Sequence, residues 1–479
     1  MRNRLKSAGW ISMVLTGVVL GALAQAQVQT TPTPVFNGSC TAVSPTPFPV
    51  AAPPAGATVF HVNPDSIRVQ LLQNNTSLDV AFKQVEDAKD QVTSKALSLL
   101  PSVSLSLKGS FVVSQIQFLL PFLFPSNWFN TFEQADLYQA QLQAYKILEL
   151  NTYGSALSVY YTIMSDAQTA QVYQQEANDL QNLANALELE YQMGVGITKI
   201  SVDQAEGNAK VAAGNANGAV QTMINEMESL KAMLALPPGP ATFLVLDPGD
   251  MPASAAEGQN IQTAINQALS IAPELSQIKQ MEKAANAAKW SNVFSFLGSA
   301  SLSSQSTTGS AGLGSLSAVG QTTLGASIFP TISLSNRNIQ EVKEQETELN
   351  QETGQVISTS IQNVDLAKSQ FNLDSDAVNE LTQAYNGVSC EYAFGLANMV
   401  DVLTARANMT SAELSQIAAR LDLSLLRITL HRAFLTDEFA NIHGCSQPNV
   451  ATGWFHKKQT LTQVCHEDGP AQNKPVTTP

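Results

Sequence analysis

Few residues in this chain of 479 are arranged to make or break bonds. Its five histidines are scattered, and no Ser/His/Asp set or paired-carboxylate arrangement stands out that would give a nucleophile its base or an acid its partner. Two short stretches have metal-ligand residue types, His443-Gly444-Cys445 and Cys465-His466. In an oxidising compartment a Cys445–Cys465 disulfide is preferred over a metal pair, with free or otherwise paired thiols as the remaining option. Cys390 lies just before a patterned stretch and Cys40 in a Pro-rich one, and their pairing is left open by the sequence. Gly309 to Gly320 is rich in Gly and Ser but lacks a following Lys-Ser/Thr, so it reads as an exposed loop between strands rather than a phosphate cradle. The reading is no enzyme, no metal and no cofactor.

One acid does sit in a patterned stretch: Asp401, within Tyr392-Ala-Phe-Gly395-Leu396-Ala-Asn-Met-Val-Asp401-Val-Leu-Thr-Ala405-Arg406. On residue type alone it can satisfy the free N–H groups of a helix start just after a turn. A weaker copy lies upstream, Tyr191-Gln-Met-Gly194-Val-Gly196-Ile-Thr198-Lys-Ile-Ser201-Val-Asp-Gln-Ala205, and the two tyrosines are 201 residues apart. That period is far too long for a solenoid, so the chain reads as two similar halves. Gly194, Gly196 and Gly395 are turn glycines supplying backbone conformations that other residues avoid.

The elements that must position these turns follow from proline and period. Residues 126 to 236 contain no proline for 111 residues, and residues 331 to 447 none for 117. Asn130 to Tyr191 alone can form a helix of about 90 Å, well beyond ordinary globular lengths. A helical pattern also covers Asp65 to Leu100, with Leu78, Phe82, Val85 and Val92 one or two turns apart. Pro101 ends it, and Ser102 to Leu107 alternates small polar with apolar residues, the period of a strand. Phe111 to Phe124 is a candidate partner, Thr242 to Leu246 a short strand, and Phe294 to Ser304 and Leu324 to Leu334 the strands of the second half. Leu414, Ile417, Leu421, Leu425 and Ile428 form one apolar helix stripe.

Composition narrows the class. A net charge of −14 argues against nucleic-acid binding. Residues 1–26 read as a secretory signal peptide, with Arg2, Arg4 and Lys6 before the apolar run Trp10 to Leu23 and an Ala24-Gln25-Ala26 cleavage site. The domain plan is then a Pro-rich tether over 27–64, a first half over 65–236, a link over 237–259, a second half over 260–443 and a tail over 444–479. Past the signal no apolar run is long enough for a spanning helix, so any contact with a bilayer falls to strands closed into a barrel. About four strands per chain are too few to close one, and three copies would pool about twelve.

With those residues in view, 65–440 resembles the TolC-like family of outer-membrane efflux proteins. Tyr392-x-x-Gly395 with Asp401-Val402-Leu403-x-Ala405 is similar to the family's second periplasmic helix-turn tip, and Tyr191 to Ala205 to its first. Ala268-Leu269 with Pro273-Glu274-Leu275 resembles the opening of the family's repeat. The resemblance implies an α+β membrane protein: a trimeric outer-membrane β-barrel of about four strands per chain, continued by a long periplasmic α-helical barrel and built from two internal repeats. It implies a passive conduit for drugs, small molecules or proteins, a homotrimer in outer-membrane lipid, docked through a periplasmic adaptor to an inner-membrane pump or ABC transporter. Asp401 takes the family's gate position and Tyr392 that of a closed-state contact, while Gly194, Gly196, Thr198, Gly395 and Leu396 fall on adaptor-contact tips. Three copies of Asp401 around one axis would favour cations and respond to protons or metal ions. Ala397 and Thr404 stand where relatives carry an arginine and a second acid, and Ser201 replaces the aspartate in the first copy. The competing reading is a trimeric periplasmic or surface coiled-coil structural protein without a pore.

Overall fold

In the computed structural model, the described residues are 56–100, 102–108, 112–119, 124–194, 196–294, 300–305, 316–320 and 328–443. The signal peptide, Cys40 and the Cys445–Cys465 pair lie outside them. Where proline is missing, helix runs on. α3 (Pro125–Gln192) has 68 residues and α7 (Ile328–Ala393) has 66, each about 100 Å at 1.5 Å per residue. Each is followed by a helix about half as long, α4 (Lys199–Met233) and α8 (Met399–Phe434). Ahead of them come α1 (Pro64–Asn74) and α2 (Thr76–Leu97), then α5 (Ile261–Ile271) and α6 (Pro273–Phe294). α3 packs along α2, α4, α6 and α8, and α7 along α5, α6 and α8.

Each helix boundary has a local cause. Asn75 ends α1 and starts α2: its N–H donates to the Leu71 carbonyl, while its Oδ1 accepts from the N–H groups of Ser77 and Leu78. The single helix expected over 65–100 is therefore two, because Asn is a poor helix-interior residue and a strong N-cap. Pro125 opens α3 at a position whose N–H would have no intrahelical partner anyway.

Two sheets are present among the described residues. β2 (Ser102–Lys108), β3 (Val112–Leu119), β5 (Ala300–Gln305) and β6 (Leu316–Gly320) form an antiparallel sheet in the order β2-β3-β5-β6. Ser102 faces Leu119, Gln115 faces Gln305 and Ala300 faces Gly320. The fourth strand is displaced from its expected place: residues 328–334 begin α7, and the strand lies within the stretch read as a Gly/Ser loop. Pro330 sits in the first turn of α7, where a missing N–H breaks no helix bond, and so gives no evidence of a strand. The alternation of Leu316-Ser-Ala-Val319 suffices for a strand once β5 supplies the pairing edge.

The second sheet joins β1 (Thr58–Val62) and β4 (Thr242–Leu246) in parallel, Val62 opposite Leu246. β1 falls in what the sequence presents as the end of a tether. Around this pair lies the largest core, where Leu71, Tyr153, Leu157, Tyr160, Leu230, Leu244 and Phe439 are buried. The Tyr153 hydroxyl donates to the Pro64 carbonyl at 3.2 Å, and that of Tyr160 to the Asp247 carbonyl. Tyr153 meets Phe439 edge to face at 4.9 Å. No helix among the described residues is long and apolar enough to cross a membrane.

Candidate functional site

The patterned stretches form the turns of two helical hairpins. At the second, Gly395 has φ +72°, the Leu396 N–H donates to the Glu391 carbonyl at 2.8 Å and the Gly395 N–H to that of Tyr392 at 2.9 Å. This bond pair ends a helix on a left-handed residue, which glycine adopts without Cβ strain. A Cβ on Gly194, Gly196 or Gly395 would meet nothing within 4 Å, so conformation and not crowding requires these glycines.

Asp401 is the third residue of α8 and caps its start. Its N–H donates to Asn398 Oδ1 and its Oδ2 accepts from the Asn398 N–H, both at 3.1 Å. This reciprocal arrangement satisfies two otherwise unpartnered donors. In the first turn Thr198 is the N-cap of α4: its Oγ1 takes the Ser201 N–H at 3.3 Å, and the two hydroxyls lie 3.0 Å apart. Ser201 thus fills the structural place of Asp401 without its charge.

The half-buried Tyr392 crosses between hairpins, its hydroxyl donating to Glu190 Oε2 at 3.3 Å. Burial and the neighbouring Glu190 carboxylate raise its phenol to about 12. Beneath it Ala184, Leu187, Val202, Ala205 and Met399 form a small shared core with Ile197 and Leu403. Gly194, Gly196, Thr198, Gly395 and Leu396 stay on the outer turns. They carry a conspicuous apolar surface: Leu396 is 79% exposed, Ile200 77%, Phe394 65% and Met193 61%. Isolated exposed apolar residues are common, but a cluster on two adjoining turns marks a contact surface.

The opposite ends of α3 and α6 adjoin the four-stranded sheet and are aromatic. Phe129 stacks on Phe294 at 5.6 Å, Trp290 stacks on Phe294 at 5.9 Å, and Trp128, Phe132 and Trp290 are exposed. The four-stranded sheet ends in β2 on one side and β6 on the other, neither paired further among the described residues.

No known protein-family model matches the sequence, and no curated protein does. Solved structures do match. The outer-membrane channel OprN superposes with a TM-score of 0.66 at 14% identity, covering 78% of this chain and 89% of that one. The outer-membrane protein VceC of Vibrio cholerae gives 0.65 at 15%, covering 78% and 95%. The CmeC outer-membrane channel of Campylobacter jejuni gives 0.61 at 16%, covering 78% and 85%.

The chain has the TolC-like outer-membrane channel fold. The four-stranded sheet and the aromatic cluster follow from one end of α3 and the Gly-containing tips from the other. Among the described residues no group of three or more His, Cys, Asp or Glu is placed to hold a metal. Two participants escaped the sequence reading, Glu190 as the partner of Tyr392 and Arg406 as a buried cation. The signal for Arg406 was there: it stands on the stripe Val402-Arg406-Met409-Glu413, where helical period puts residues on one face.

Proposed function

We propose that this chain is a TolC-like outer-membrane factor, a passive channel that conducts drugs, small molecules or proteins out of the cell and catalyses no reaction. The observation that carries the reading is a four-stranded antiparallel sheet with two open edges set on helices of about 100 Å. Open edges expose unpaired backbone groups that cannot be left in lipid, and closing them with two further copies gives a barrel of about twelve strands. The protein is then a homotrimer in the outer membrane, extending into the periplasm, with its two halves as structural repeats. Paired helix lengths support the repeat: 68 against 66, 35 against 36, 22 against 22 and 11 against 11 residues. The aromatic collar fits a membrane–water boundary, where amphipathic rings gather.

At the far end the exposed tips around Leu396 and Ile200 take the periplasmic adaptor, and through it an inner-membrane pump or ABC transporter. Asp401 gates by charge and Tyr392 by its bond to Glu190. Recording from purified, folded trimer in a planar bilayer tests the proposal: discrete cation-preferring conductance is expected, and a folded trimer that conducts nothing refutes it.

A further inference from the structure

Arg406 is the largest fully buried side chain among the described residues, with 0% of its surface exposed. It lies on α8, and groups from three helices surround it. From α3, Asp179 Oδ2 approaches its Nε at 3.0 Å, and Glu176 lies close enough to feel the same cation. From α8, Glu413 Oε2 accepts from Nη1 at 3.4 Å. From α7, the Tyr385 ring lies 5.6 Å beneath the guanidinium carbon. Thr410 on α8, beside Glu176, and Ser389 on α7, beside Tyr385, add buried hydroxyls that have no hydrogen-bond partner among the described residues. α4 contributes Ala209 and Ala212 against Ala177 and Leu180 of α3, with no charge.

The arrangement is unbalanced: three carboxyls share one cation. Arg406 Nη2 has no hydrogen-bond partner, and Nε faces Asp179 off the line a hydrogen bond needs. A buried ion cluster is stable only when its charges are matched and its donors used. Fully ionised, this one has a surplus of two negative charges.

We propose that the Arg406 cluster is a proton-operated brace between the two hairpins, holding α3 against α7 and α8 when a carboxyl carries a proton and letting them part when all three are ionised. Burial supports the direction. It pushes Asp179 up to about 6, only partly offset by Arg406, and pushes Glu176 and Glu413 upward as well. Acids whose pKa is raised in the packed state bind protons more tightly there than when solvated. The packed brace is therefore favoured below about pH 6 and weakens as pH rises through that value. The brace is a property of one chain and goes beyond the channel reading without resting on it.

Pulsed dipolar spectroscopy on the full chain tests it, with spin labels attached through a keto amino acid at the exposed positions Ile200 and Leu396. Labelled chain is diluted in excess unlabelled chain so that only the distance within one chain is read. The expected result is a narrow distribution at pH 5 that broadens or lengthens by pH 8, with a midpoint near 6. Asp179→Asn removes one negative charge and is expected to stay narrow at pH 8. Glu413→Gln removes one from the other hairpin and is expected to do the same, which keeps the test decisive if the first variant fails to fold. Identical distributions at pH 5 and 8 in the unaltered labelled chain, or wild-type pH dependence in a folded variant, overturn the brace. Bilayer conductance of the same preparation is read separately, so loss of the channel reading leaves this result standing.

Discussion

One substitution cannot separate the helix cap that Asp401 provides from the gate charge proposed for it; two can. Asp401→Ala removes the acceptor for the Asn398 N–H, now at 3.1 Å, and the negative charge at the start of α8. On an exposed turn the lost cap contributes roughly 0.5 kcal/mol and the lost charge–dipole interaction a similar amount, together about 1 kcal/mol. That is about a fivefold rise in local opening, read as faster amide exchange in the first turn of α8. Asp401→Gln keeps a third-position acceptor that reaches back to the N-cap N–H and loses only the charge–dipole half, about 0.5 kcal/mol, so exchange there is expected to rise about twofold against fivefold for the alanine variant. Both variants remove the charge. If charge at the constriction sets selectivity, the reversal potential of Asp401→Gln in a salt gradient moves toward non-selective as far as that of Asp401→Ala, and divalent block weakens equally. Cation preference retained in Asp401→Gln but lost in Asp401→Ala would refute the reasoning and leave Asp401 a helix cap alone.

Two further outcomes follow from burial and space. Glu149 is buried, its Oε2 has no hydrogen-bond partner, and burial raises its carboxyl to about 8 against the bond it accepts from Tyr145. The packed state binds its proton more tightly than the unfolded chain does, so stability declines as pH rises from about 4.5 to 8. Glu149→Gln is expected to flatten that part of the curve of melting temperature against pH, and an unchanged slope contradicts the assignment. Gly207, Gly214 and Gly218 lie in α4 with open space where a Cβ would go. Each Gly→Ala change is expected to stabilise by about 0.5–1 kcal/mol, seen as a higher melting temperature; a lower one would mean another surface approaches these positions closely.

Much of the fold was legible in the sequence. Proline bounds the long helices, because its ring and missing N–H act wherever it falls. The Gly395 turn, the Asn398–Asp401 cap and the alternation of Ser102 to Leu107 are likewise decided by residues within a few positions of one another. What escaped depends on groups far apart in the chain. β1 is a strand because Val62 finds Leu246 across a gap spanned by four helices, and nothing in Thr58 to Val62 records that partner. Pro330 misled in the same way: the proline of a strand edge and that of a first helical turn look alike until the chain on either side is placed. Arg406 is marked in the sequence only by sharing a helix face with Val402 and Met409, and its partners come into range only when α3 and α7 close over it and bring up Asp179 and Tyr385. The local sequence thus determined where helices run and turn, since hydrogen bonding over three or four residues suffices for that. Only the tertiary structure decided that β1 pairs with β4 and β3 with β5, and that Arg406 and Asp179 leave water together, because those contacts join surfaces more than a hundred residues apart.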